Sequence, residues 1–121
     1  MAELVFVYGT LKKGQPNYPV MERAKGKFIG HFGTDPEFTM YDLGAYPAVS
    51  NGGNTSIKGE IYAVEDIKPL DWLEGYPEFY DRHQIDTHYG PAWIYTYHPD
   101  ESLPIVINGY WADHVWLDDY D

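Results

Sequence analysis

Turn-forming residues divide this chain of 121 residues into short segments. Its 12 glycines and 9 prolines are spread along the sequence, and the strongest turn signal is Asn51-Gly52-Gly53-Asn54. Most segments between the turns are short runs of apolar or alternating residues, which is typical of β-strands. Many short strands with one or two brief helices predict an α+β domain built on a curled sheet or a small barrel.

For one predicted strand, the sequence pattern also indicates how far its residues are buried. Residues 56–64 alternate in character, with Lys58, Glu60 and Tyr62 on one side, so we expect a half-buried strand there. The expected strands are 4–8, 27–34, 38–41, 56–64, 80–87 and 93–97, with a brief extended piece at 48–49 and a short helix from about 19 to 24.

Length and composition indicate one folded domain. Hydrophobic residues make up 44% of the chain and aromatic residues 17%, which is enough for a packed core. A chain of this length fits one domain, so we expect a single domain over 1–121. Its last residues, 113–121, are predicted to form an acidic C-terminal tail in solvent.

Charge and residue types exclude several classes of function. Lys and Arg number 8 against 19 Asp and Glu, and the formal charge of -11 repels phosphate backbones, so we expect no nucleic-acid partner. The chain has no cysteine, which removes disulfides and thiolate nucleophiles. Its histidines, at 31, 83, 88, 98 and 114, lack metal-ligand spacing. No nucleotide-binding glycine motif is present, so we expect neither a metal nor another cofactor.

The first residues do not resemble an export or membrane segment. They read Met-Ala-Glu-Leu-Val-Phe-Val, with an acid where an export signal carries positive charge. The apolar run is also too short to cross a membrane. We therefore expect a cytoplasmic protein without a membrane partner, and the sequence leaves the oligomeric state open.

The first segment that could take part in binding or catalysis is Val5-Phe-Val-Tyr-Gly-Thr-Leu11. It is typical of a buried strand that breaks at Gly9 into a tight turn. In such a turn, the backbone amides of Thr10 and Leu11 can point outward and bind an anionic or carbonyl oxygen.

The second segment supplies one acid, Glu74. Pro69 suits the first turn of a helix and Gly75 suits the residue after the last, so they bracket a short helix that carries Glu74. Leu70 and Leu73 lie at helical spacing with Trp72 beside them. We expect these side chains to hold the Glu74 carboxylate near hydrocarbon rather than in open water.

Together, these segments resemble the γ-glutamylcyclotransferase-like superfamily, in particular its γ-glutamylamine cyclotransferase and AIG2-like branch. The resemblance spans roughly 4–111 and is specific as an ensemble, since Tyr-Gly-Thr-Leu alone occurs by chance. The matching residues are Tyr8-Gly9-Thr10-Leu11-Lys12, Gly59-Glu60-Ile61-Tyr62, Leu70-Asp71 with Glu74-Gly75, Tyr80 with Arg82, and Trp93-Ile94-Tyr95-Thr96-Tyr97.

The resemblance implies a small mixed β-barrel flanked by short helices, with the site at its mouth. It implies a cofactor-independent enzyme that converts a small-molecule γ-glutamyl amine or γ-glutamyl amino acid to 5-oxoproline and releases the amine. Glu74 is implied as the general acid/base, and the Tyr95 hydroxyl is expected to support the oxyanion. The loop 44–47 is expected to shape the amine side. The implied substrate-binding residues are Tyr8, Gly9, Thr10, Leu11 and Tyr95.

Other functions also fit the sequence. A domain of the same fold could bind a small polar ligand without turning it over. Asp71, three residues before Glu74, could complete a two-carboxylate hydrolase, although its place in the first helical turn explains it as a structural acid. On local sequence alone, Glu74 would more often be solvated or paired with Arg82 or Lys68. Arg82 is expected to anchor a nearby acid or carbonyl, or to meet a substrate carboxylate.

Overall fold

The computed structural model describes residues 2–111, and the predicted acidic tail at 113–121 lies outside them. Within that range the elements are β1 (Glu3–Val7), α1 (Tyr18–Arg23), β2 (Lys27–Gly33), β3 (Phe38–Asp42), β4 (Pro47–Asn51), β5 (Lys58–Val64), α2 (Lys68–Glu74), β6 (Asp81–Ile85) and β7 (Ala92–Thr96). The predicted strands and helices are confirmed with shifted ends. β4, expected only as a brief piece at 48–49, is five residues long.

The strands form a five-stranded sheet in the order β2-β5-β1-β7-β6 and a separate β3-β4 hairpin. β1 is central, antiparallel to β5 and parallel to β7. The predicted α+β class is confirmed. The predicted small barrel is not found within residues 2–111, because the edge strands β2 and β6 do not pair there. The hairpin packs against one face of the sheet and does not close it.

One face of the five-stranded sheet packs against both helices. Val5 and Val7 of β1 and Tyr62 of β5 are buried on this side, in one cluster with Met21 of α1 and Leu70 of α2. Burial of a side chain of this size contributes about 1.5–3 kcal/mol. The same packing fixes α2, and therefore Glu74, against the sheet.

The opposite face packs against the hairpin. Phe6 of β1 and Ile61 of β5 lie in a second cluster with Met40 of β3 and Val49 of β4. Both faces of the sheet are thus covered, so β5 is not half-buried as expected. Tyr62, on the same side of the strand as Lys58 and Glu60, is fully buried, because the helices cover that side.

The sequence features that bracket α2 act as expected. Pro69 lies in the first turn of the helix, where a backbone N–H has no partner within the helix, so the N–H that proline lacks is not needed. Gly75 follows the last residue with a left-handed φ of 67°, and its N–H bonds back to the helix. With 6 and 7 residues, neither helix in the described range is long and apolar enough to cross a membrane.

Candidate active site

A cavity of about 280 Å³ lies where β1 ends. The turn at 8–11 forms part of its wall, and Glu74 at the end of α2 lines it as well. Pro47, the first residue of β4, and Tyr95 of β7 border the same space. The structure therefore places the predicted acid and all the predicted substrate-binding residues around one cavity, although they come from distant parts of the chain.

Three consecutive backbone amides in the turn have no hydrogen-bond acceptor among the described residues. The N–H groups of Gly9, Thr10 and Leu11 donate no hydrogen bond to any residue in the range 2–111. Asn17 holds the turn instead, since its Nδ2 donates to Thr10 Oγ1 at 2.8 Å and its backbone N–H donates to the Thr10 carbonyl at 2.9 Å. The amides are thus held in place and available to the oxygens of a ligand.

Gly9 is required by a close contact. Its backbone does not adopt a left-handed conformation. A Cβ atom at this position would lie 2.7 Å from Cγ and 2.8 Å from Cδ of the Pro47 ring. The sequence suggested that a sharp turn explains this glycine, whereas the structure shows that the missing side chain lets β4 approach the end of β1.

The Glu74 carboxylate has no protein partner in the described part of the chain. Neither a hydrogen bond nor a salt bridge reaches it, so the pairing with Arg82 or Lys68 that local sequence allowed is absent within residues 2–111. Loss of hydration on burial raises the pKa of Glu74 to about 7. Such a carboxyl group exists in both ionisation states near neutral pH, as required of a group that takes up and returns protons.

The hydrocarbon around Glu74 differs from the sequence prediction. Trp72 is 79% exposed and is not among the residues that line the cavity, so it does not shield the acid. Leu73 and Pro47 line the cavity beside Glu74, together with the ring of Phe79. The acid is therefore desolvated by groups from α2, β4 and the loop after α2, which only the tertiary fold brings together.

Three buried tyrosines border the cavity, and each hydroxyl donates inside the protein. Tyr8 donates to the Tyr95 carbonyl at 2.7 Å, and Tyr80 donates to the Pro47 carbonyl at 3.0 Å. Tyr95 donates to Asp71 Oδ1 at 2.7 Å. Burial is the largest cause that raises the pKa of each of these tyrosines, and the nearby charge of Glu74 raises all three further. The three tyrosines are therefore neutral and form part of the cavity wall around Glu74, the acid that titrates.

Asp71, the other acid of α2, is paired with Arg82. Arg82 Nε donates to Oδ1 at 2.9 Å, and Nη2 donates to Oδ2 at 3.2 Å. The guanidinium lies between two aromatic rings, 4.5 Å from the centre of Tyr76 and 4.2 Å from the centre of Trp93. Of the two roles left open for Arg82, the structure shows the anchoring of an acid.

Several residues that line the cavity were not predicted as site residues. Two of them, Tyr46 and Pro47, were not named individually, but they belong to the loop 44–47, which was expected to shape the amine side. The sequence contains no comparable signal for Asn17 and Phe79, because their places in the cavity wall depend on contacts with residues far along the chain. Tyr46 and Phe79 are partly exposed and lie at the rim.

The sequence has relatives among known proteins. The family model described as "Gamma-glutamyl cyclotransferase, AIG2-like" matches residues 5–113. A protein of Vibrio cholerae serotype O1, named provisionally as a gamma-glutamylcyclotransferase, is 42% identical over 118 residues, which cover 95% of this chain and 100% of that protein. The "Gamma-glutamylcyclotransferase family protein YtfP" of Escherichia coli K12 is 36% identical over 112 residues, which cover 90% of this chain and 96% of YtfP.

The fold has a solved counterpart as well. The crystal structure of an AIG2-like protein from Mus musculus is 28% identical, with a TM-score of 0.76, and the match covers 92% of this chain and 88% of the mouse chain. Since the family model matches most of its length, the chain belongs to the γ-glutamyl cyclotransferase, AIG2-like family. The resemblance carried by the sequence motifs is thus confirmed, and family membership supports a γ-glutamylcyclotransferase-like function.

Proposed function

We propose that the protein converts a γ-glutamyl amine or a γ-glutamyl amino acid into 5-oxoproline and releases the amine. One observation carries the proposal. Glu74, an acid without a partner among the described residues and with a pKa raised to about 7, shares a cavity with the three unused amides of the turn. Family membership supports the same small-molecule substrate class.

The proposed cyclisation needs few catalytic groups from the protein. The substrate supplies the nucleophile, its α-amine, and the electrophile, its γ-carbonyl carbon. An oriented attack within one molecule has an effective molarity on the order of 10⁵ to 10⁸ M, so a site that folds the substrate supplies much of the rate. No serine or cysteine nucleophile is needed for this step.

Glu74 would move the protons. In its ionised form it takes a proton from the substrate's α-ammonium, and the resulting amine attacks the γ-carbonyl carbon. The protonated carboxyl then gives its proton to the departing nitrogen as the carbon–nitrogen bond breaks. The attacking nitrogen also loses a second proton, which Glu74 passes to the released amine in the same way. In total the α-nitrogen loses two protons and the amine, released in its ammonium form, gains two, so Glu74 returns to its starting state.

The turn after β1 would bind the substrate's negative oxygens. Within the described residues, no lysine or arginine lines the cavity. The N–H groups of Gly9, Thr10 and Leu11 are therefore the donors best placed for an α-carboxylate or for the oxygen that gains charge during attack. The side chain of Tyr8 would contribute as part of the wall, because its own hydroxyl donates to the Tyr95 carbonyl.

The alternative of a two-carboxylate hydrolase has less support. Asp71 is held by Arg82 and Tyr95, and its charge is not among the causes of the raised pKa of Glu74. The two acids therefore do not behave as a coupled pair. Hydrolysis would also incorporate an oxygen atom from water, whereas cyclisation incorporates none.

The test is to incubate the protein with a panel of γ-glutamyl amines and γ-glutamyl amino acids in ¹⁸O-labelled water. We expect 5-oxoproline that carries no label. Labelled glutamate would indicate the hydrolase. Binding of panel compounds without any product would indicate the non-catalytic binding domain, and either result would reject the proposal.

A further inference from the structure

We propose that Asp71 and Arg82 are positioning residues that fix the direction of the Tyr95 O–H bond, so that the Tyr95 oxygen accepts a hydrogen bond from the substrate's α-ammonium. This inference rests on the proposed function, because it assigns these residues a part in the cyclisation. It gives Tyr95 a role as acceptor, where the sequence suggested a donor to the oxyanion.

The three residues meet where α2 crosses the edge of the sheet. Arg82 of β6 and Tyr95 of β7 are direct cross-strand partners. Asp71 Oδ1 accepts both the Arg82 Nε–H, at 2.9 Å, and the Tyr95 O–H, at 2.7 Å. Glu74 lies one helical turn after Asp71 on the same helix.

This cluster is built to hold one geometry. The Arg82 guanidinium forms a two-point contact with Asp71 and is packed between the rings of Tyr76 and Trp93. The side chains of Arg82 and Asp71 are only 15% and 19% exposed. A guanidinium held by contacts with two aromatic rings fixes the carboxylate in turn, and a charged carboxylate is a strong acceptor for the Tyr95 hydrogen.

The direction of that hydrogen limits what Tyr95 can do in the cavity. A phenol has one hydrogen, and here it points to Asp71, so the oxygen offers only lone pairs to other groups. Tyr95 lines the cavity, and the charge of Glu74 is among the causes that raise its pKa, after burial and the contact with Asp71. The Tyr95 oxygen and the Glu74 carboxylate are thus two acceptors on residues that line the same cavity.

Two neighbouring acceptors match the chemistry of an ammonium group. The substrate's α-ammonium carries three N–H donors, of which one is needed by Glu74 for proton transfer. A second donor directed at the Tyr95 oxygen would hold the nitrogen in place before attack. Because this contact exists in the bound substrate, its loss weakens binding of the ground state more than it slows the chemical step.

The decisive variant is Tyr95→Phe, tested with the best γ-glutamyl substrate of the panel. We expect KM to rise on the order of tenfold, the effect of losing one hydrogen bond to a charged group, with kcat nearly unchanged. The control is Tyr97→Phe, the same change two residues further along the chain, which should leave both constants unchanged. A fall in kcat at constant KM, or no change at all, would overturn the inference.

Positioning through Tyr95 is tested with Asp71→Asn and Arg82→Lys, the second being the variant to use if the first does not fold. Each should raise KM when Tyr95 is present and add nothing in the Tyr95→Phe background, because both act through the same hydroxyl. Equal effects in both backgrounds would overturn the positioning role. A wild-type protein without turnover of any panel compound would instead reject the proposed function, so the two failures are distinguishable.

Discussion

Asp71 and Glu74 are carboxylic acids one turn apart on α2, and their hydrogen-bonding environments are opposite. Asp71 accepts two hydrogen bonds from Arg82 and one from Tyr95. Glu74 accepts none from residues 2–111, and loss of hydration raises its pKa to about 7. Both side chains end in a carboxyl group and both residues belong to α2, so their surroundings distinguish a structural acid from a reactive one.

The difference arises from what each side chain faces. Asp71 points to the edge of the sheet, where β6 supplies a guanidinium. Glu74, the last residue of α2, points to the end of β1, where the chain offers apolar side chains and neutral tyrosines. A half-buried acid without a partner among the described residues lowers stability when it is charged, and such an arrangement is most common at functional sites.

The largest expected effect comes from Glu74→Gln, which removes the proton carrier and keeps its shape. We expect 5-oxoproline formation to fall by on the order of 10² to 10⁴-fold, the usual contribution of a general acid/base. Initial rates on the best panel substrate measure this. Glu78→Gln, an exposed glutamate four residues further on, is the matched control and should keep its rate. A Glu74→Gln variant within tenfold of wild type would remove the distinction between the two acids.

The next effect comes from Gly9→Ala, which tests the other wall of the cavity. The added Cβ would meet the Pro47 ring at 2.7 Å, so the turn and β4 must separate. A displacement of about 1 Å at a catalytic site costs on the order of 10²-fold in rate. At Gly33 the nearest atom, Ser56 Oγ, would be 3.5 Å from the new Cβ, so Gly33→Ala is a control that should retain its rate. Equal rates for both variants would contradict the role of the turn.

A stability measurement sharpens the comparison, because Glu74 should weaken the fold when it is charged. Its folded pKa of about 7 exceeds the ordinary 4.5, so the folded state loses stability as the pH rises from 4.5 through 7. We expect Glu74→Gln to raise the free energy of unfolding by about 1–3 kcal/mol at pH 8. Most of that gain should disappear at pH 5. Urea unfolding at both pH values measures it, and a gain of equal size at pH 5 would contradict the cause.

The pH dependence of the reaction tests the same acid without any substitution. The ionised form of Glu74 starts the cycle, so kcat/KM should rise with pH, reach half its plateau near pH 7, and fall about tenfold per unit below that. The groups near Glu74 are Tyr8, Tyr80 and Tyr95, whose raised pKa values keep them neutral in this range. A rate constant that does not change between pH 5 and 8 would exclude the assigned role.

Local features of the fold could be predicted from the sequence. Pro69 and Gly75 marked both ends of α2, and Gly52 and Gly53 of the predicted turn adopt positive φ values of 87° and 123°. These features depend on the backbone preferences of neighbouring residues, which a sequence displays directly. The motif residues of the candidate site could be named for the same reason, with the help of the resemblance.

Tertiary contacts could not be predicted in this way. The burial of Tyr62 depends on helices that cover β5, and the open edges of the sheet depend on where the hairpin packs. The contact of Gly9 with Pro47 joins residues from separate strands. Asp71 and Arg82 could be suspected as charges, but their pairing depends on how α2 lies across β6.

The most direct test is a ¹³C NMR titration of the glutamate side-chain carboxyl groups in the wild-type protein and in Glu74→Gln. Our account predicts one glutamate that titrates at about pH 7 and whose signal is missing from the variant. Titration of every glutamate near the ordinary value of 4.5 would contradict it, because Glu74 would then be solvated or paired like Asp71.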